Sequence, residues 1–162
     1  MSDMSTSSTT RSRGRTILLA GSTIFIAHFI LAHFLIFSVL GGTPLVVVLQ
    51  YIASALLGPA AFAGGVPLAL LGLVLHFLTS LTIAAVFILS LDRFAFLQRR
   101  TTLWAFLYGF GVFIVMNLIV LPLSAAPPLE APPMLLLVLG VLEHILTVGG
   151  SLVYTLRRQA GS

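Results

Sequence analysis

Four histidines, one glutamate and one asparagine interrupt the apolar stretches of this 162-residue chain: His28, His33, His76, His144, Glu143 and Asn117. Titratable groups are expensive in lipid, so each histidine and the glutamate is a candidate for proton transfer, ligand binding or metal ligation. Three chemistries suit these residue types. Two histidines on facing helices can ligate a b-type haem. His76, His144 and Glu143 carry the donor atoms of a metal site, but neighbours 143 and 144 diverge by about 100° around an α-helix. A proton relay, or a path for a small polar solute, needs only a chain of titratable groups and is the least demanding. No metal ligand set and no catalytic residue is assigned on these grounds, and haem b is the single cofactor considered. The plain structural alternative is a histidine that ties helices by donating to a backbone carbonyl.

The elements that must position these groups follow from composition. The chain is 59% hydrophobic and 7% charged, with a mean hydropathy of +1.15. A soluble domain carries about 25% charged residues. This balance excludes an ordinary soluble enzyme, a nucleic-acid binder and a disordered chain. It predicts an all-α integral membrane protein. There is no cysteine, hence no disulfide framework and no thiolate metal site. Nucleophile elbows, phosphate loops and dinucleotide fingerprints are absent from the sequence.

Four runs are long enough to cross a bilayer: 17–40, 66–91, 103–124 and 134–156. A fifth apolar piece, 44–62, carries Gln50, Tyr51 and Ser54 and is broken at Gly58-Pro59. Charge decides how to treat it. If 44–62 stays on the external side as a re-entrant or interfacial helix, all eight arginines fall on one face, as the positive-inside rule prefers. If it crosses, five arginines fall outside. The reading is therefore a four-transmembrane-helix bundle in a bacterial inner membrane, both termini cytoplasmic. Residues 1–16 form a disordered tail and 157–162 a short second tail. Arg93, Arg99, Arg100, Arg157 and Arg158 set the topology and meet lipid headgroups. Trp104, Tyr108, Tyr154 and Tyr51 fall where interfacial aromatic anchors belong.

Helical arithmetic gathers the polar groups near one depth. From the external ends, His76, Glu143 and His144 lie about 14–15 Å deep, Asn117 about 10 Å and His28 about 18 Å. His28 shares a face with Gly21 and Ala32, and His76 with Ala69, Gly72 and Ser80. Glu143 and His144 border Gly140, Thr147 and Ser151. Small residues mark close helix contacts in membranes, so these side chains point into the bundle. Ser80-x-x-x-Ala84 and Ala105-x-x-x-Gly109 are read as packing pairs within the chain. His33 has Phe29, Ile30 and Phe37 as helical neighbours and is placed toward lipid or the external interface. The echo Ala27-His28-Phe29, Ala32-His33-Phe34 spaces the two histidines by five, about 140° apart on an α-helix. The predicted cluster is thus His28, His76, Asn117, Glu143 and His144.

Three segments also carry a resemblance: 53–65 (ASALLGPAAFAGG), 71–77 (LGLVLHF) and 116–124 (MNLIVLPLS). Together they resemble uncharacterised small bacterial multi-pass membrane proteins, loosely like the YagU-type inner-membrane proteins. The resemblance implies a four-span inner-membrane protein with His76, Asn117 and Pro122 as pattern positions, and it brings no activity or cofactor with it. The expected function is non-catalytic: an intramembrane cluster that organises the bundle and binds protons or a small polar ligand. The alternatives are a small transporter or channel component, and a haem-holding redox subunit. The expected partners are the lipid bilayer and a second copy or a larger membrane complex, with no nucleic acid.

Overall fold

In lipid no water satisfies the backbone, so each apolar run must close its hydrogen bonds within itself as a helix. The computed structural model describes residues 3–128 and 133–160, and among these there are helices and turns but no strand. Five helices are long and apolar enough to cross a membrane: Arg13–Leu40, Leu45–Ala63, Gly65–Arg93, Thr101–Leu123 and Met134–Ala160.

The first helix, α1, runs Asp3–His28 and continues through a more widely wound stretch, Phe29–Leu40. Helix α2 (Leu45–Leu57) ends in a tight 3-10 turn, Gly58–Ala63. Helix α3 is the longest regular element, Gly65–Arg93. A five-residue helix, α4 (Ala95–Arg99), turns the chain into α5 (Thr101–Val115), which continues to Leu123. The last helix, α6, starts at Met134–His144, widens over Ile145–Gly149 and finishes as Gly150–Ala160.

Specific contacts fix the order of ends. Arg13 Nε lies 3.0 Å from Asp92 Oδ2 at one end of the α1–α3 pair. Further along, Phe25 packs on His76 and Phe77. These two helices are therefore antiparallel. Thr16 and Thr23 of α1 meet Gln159 and Thr155 of α6 in the same sense. Tyr108 of α5 donates to the Ile83 carbonyl of α3 at 2.9 Å. Arg13, Asp92 and Gln159 thus gather at one end of the bundle. The C-terminal end of the first helix and the start of α3 lie at the other, with α2 between them in sequence.

Tight approaches explain the small residues. At Gly109 an added Cβ would stand 2.7 Å from the His144 carbonyl oxygen and 3.0 Å from Ile145 Cα. At Gly72 it would overlap the Leu49 carbonyl, where α2 lies on α3. The apolar core occupies the arginine end of the bundle: Ala20, Ile24, Ala84, Phe87, Ile88, Ala105, Val112, Val148 and Leu152. Lipid-facing leucines and valines are exposed all round it, as expected when the surrounding solvent is itself apolar.

Three expectations change. The tail 1–16 was expected without structure, yet from Asp3 onward it extends α1. Once an apolar span has nucleated a helix, each further residue adds a hydrogen bond, and the Arg13 and Thr16 contacts hold the base. The break at Gly58-Pro59 does not split 44–62 into a hairpin. It ends a regular helix, with Gly58 at φ +61°, and Ala125 N–H donates to the Ala55 carbonyl at 3.0 Å. Tyr108 is not an interfacial anchor, because its hydroxyl turns inward to α3. Part of the Pro-rich loop, 129–132, and residues 161–162 lie outside the described residues.

Candidate functional site

The histidines and the glutamate converge where α1, α3 and α6 meet, at the level at which α1 and α6 change winding. A π-wound segment bonds residue i to i+5 and stacks residues five apart. His28 closes the regular part of α1, and His33 lies five residues on, inside the wide segment. Their rings meet edge to face with centroids 5.0 Å apart. In α6, Glu143 and His144 directly precede the wide stretch Ile145–Gly149. Thr147 donates to the Glu143 carbonyl at 2.8 Å and to Glu143 Oε1 at 3.0 Å. Such back-bonding by threonine competes with the helical ladder and bends it.

One half of the cluster is saturated with hydrogen bonds. Glu143, 2% exposed, accepts from His28 Nε2 at 3.0 Å and from His144 Nδ1 at 2.7 Å. His144 Nδ1 is also 2.9 Å from the Gly140 carbonyl. A ring nitrogen facing a carbonyl must carry the proton, so His144 is protonated at Nδ1 and its Nε2 faces His28 Nε2 at 3.4 Å. With the His28 proton turned to the carboxylate, His28 Nδ1 presents a bare lone pair.

The other half is unsatisfied. His28 Nδ1, both ring nitrogens of His33, and His76 Nε2 are buried without any hydrogen-bond partner. His33 and His76 are each 8% exposed. The His33 and His76 rings are 4.5 Å apart, and His28 to His76 is 5.0 Å. Rings of Phe25 and Phe113 close the cluster against His76 and His144.

Ligand-capable atoms fall into two overlapping triads, His28/His33/His76 and His28/Glu143/His144, each with its atoms within 4.8 Å of one another. His28 belongs to both. The imidazoles lie 4.5–5.0 Å apart between centroids, edge to face except for the tilted pair His28–His76. A porphyrin plane between any two of them would have to part the rings.

Four of the five expected residues, His28, His76, Glu143 and His144, are brought together. Asn117 is not. It is exposed on α5, and its amide donates to the Phe113 carbonyl at 2.9 Å. A depth reckoned from helical rise carries no information about which way a side chain points. His33, expected to face lipid, is a member of the cluster. The reason is the winding of Phe29–Leu40: the five-residue spacing that separates two side chains on an α-helix aligns them on a π-wound one. The repeated Ala-His-Phe was the signal that could have found it. The divergence of 143 and 144 likewise does not keep them apart, since the glutamate folds back onto its neighbour's ring.

The five arginines at 93, 99, 100, 157 and 158 lie on α3, α4, the turn after it, and the end of α6, away from the cluster. Arg158 sits over the Tyr154 ring at 5.3 Å. No family model matches the chain, and neither a curated protein nor a solved structure matches it. The resemblance to small bacterial inner-membrane proteins therefore stands on the three quoted segments alone.

Proposed function

We propose that this chain is a four-span inner-membrane protein whose buried histidine–glutamate cluster is a binding centre for a small polar ligand. Two arguments support the topology. The antiparallel pairing of α1 and α3 starts and returns the segment between them at one end of the bundle. The arginines at 13, 15, 93, 99, 100, 157 and 158 belong to the opposite end, the cytoplasmic one under the positive-inside rule. On this reading α2 is an external, bundle-packed helix, although its length would allow it to cross.

One observation carries the binding reading: four buried ring nitrogens that no described residue satisfies. A cluster retained only to tie helices together would hydrogen-bond its members, as the Glu143 half does. An unpaired buried polar group instead costs about 1–3 kcal/mol, a penalty that an occupant removes. The test is the unfolding midpoint of His33→Leu in detergent, stripped of small ligands. His33 makes no hydrogen bond, and leucine has nearly its volume. The reading predicts a midpoint raised by roughly 2–8 °C, from about 1–2 kcal/mol at 2–4 °C each. A lowered midpoint would show that His33 holds the bundle together, and the binding reading would fall.

A further inference from the structure

We propose that His28, His33 and His76 ligate one divalent first-row transition-metal ion inside the bundle, with Glu143 bracing His28 from behind and one coordination position left open. This deepens the binding-centre reading and rests on it. Three observations on the ring atoms point to a metal over a neutral solute.

First, all the unpartnered atoms belong to this triad, and none to Glu143 or His144. Imidazole nitrogens suit zinc, copper, iron and nickel. The triad's ligand atoms lie within 4.8 Å of one another. Nitrogens bound at about 2.1 Å in a tetrahedral site stand about 3.4 Å apart, so the rings must close by up to about 1.4 Å. Second, the outer nitrogen of His28 is held as a metal-ligating histidine requires. Such a ring donates its other N–H to a carboxylate or a backbone carbonyl, which fixes its tautomer. Glu143 Oε1 does this for His28 at 3.0 Å. Third, the charge is right. Three neutral imidazoles leave a divalent ion uncompensated in a low-dielectric setting, and Glu143, 2% exposed, supplies the adjacent negative charge.

The second triad is the weaker candidate. Its atoms are already engaged, at 3.0 Å from Glu143 to His28 and 2.7 Å from Glu143 to His144. Three protein ligands with an open fourth position is the arrangement of ion sites that bind a further small molecule, while closed four-ligand sites are structural.

The test measures metal directly. The full chain, purified without a polyhistidine tag, is stripped with a chelator, reloaded with cobalt(II) or zinc(II), dialysed, and analysed for metal per protein. The expected result is about one ion per chain, with a visible cobalt(II) ligand-field spectrum. His33→Leu should lose the ion while keeping its helical circular dichroism. Glu143→Gln, acting only through His28, should weaken binding about 10–100-fold without abolishing it. Three results would overturn the proposal: negligible metal in the wild-type chain, full retention by His33→Leu, or loss in Glu143→Gln as complete as in His33→Leu. The last would place the carboxylate in the coordination sphere. The two readings fail separately. A stabilised His33→Leu with no metal in the wild type leaves a binding centre for another ligand, whereas a destabilised His33→Leu removes the centre itself.

Discussion

The two halves of the bundle are built on opposite principles. Toward the arginine end, Ala20, Ile24, Ala84, Phe87, Ala105, Val148 and Leu152 close on each other as one apolar cluster. At the next level, four imidazoles and a carboxylate occupy the same inter-helical space, and four ring nitrogens go unpaired. In a membrane, helices are held mainly by packing and interhelical hydrogen bonds, because lipid is as apolar as leucine. The lower half maximises packing. The upper half gives up both packing and hydrogen bonding, and stability lost at a defined place is a common mark of function.

Substitutions in each half test this contrast through unfolding midpoints in one detergent. The largest effect is expected where backbones touch. Gly109→Val drives a side chain into the His144 carbonyl and Ile145 Cα, 2.7 and 3.0 Å from a Cβ, and should destabilise by about 3 kcal/mol. Leu152→Ala empties a fully buried site in the apolar half and should lose about 2–3 kcal/mol through the cavity it leaves. Glu143→Leu strips the acceptor shared by His28 and His144; a loss of about 2 kcal/mol is expected from the orphaned partners. A neutral result there would place the saturated half outside the stabilising framework. Asp92→Asn removes an ion pair whose side chains are 54% and 44% exposed, and should shift stability by less than about 1 kcal/mol. A larger loss would mean that the arginine end, not the core, holds α1 to α3.

Much of the fold was legible in the sequence because lipid enforces it. Long apolar runs have no alternative to helices, and small residues such as Gly72 and Gly109 announced the contacts they make. Gly72 shares its face with His76, so that face also gave the histidine's direction. The winding was not legible. Nothing in the composition of Phe29–Leu40 distinguishes a π-wound helix from an α-helix, and that difference of winding alone moves His33 from lipid to the centre. Asn117 failed for the complementary reason. A side chain able to bond its own helix at Phe113 O needs no neighbour, so polarity at the right depth did not imply membership. The proposed span count was read from charge, whereas five described helices are long and apolar enough to cross.

The central claim is that the imidazole layer is kept for an occupant, at the expense of stability. The most direct measurement compares the unfolding midpoints of Leu152→Ala and His33→Leu with the wild type, in the same metal-free detergent. The account predicts opposite signs: a fall for the leucine in the packed half and a rise for the histidine in the unsatisfied half. A fall for both would show that the imidazole layer stabilises the bundle as ordinary packing does, and would contradict the account.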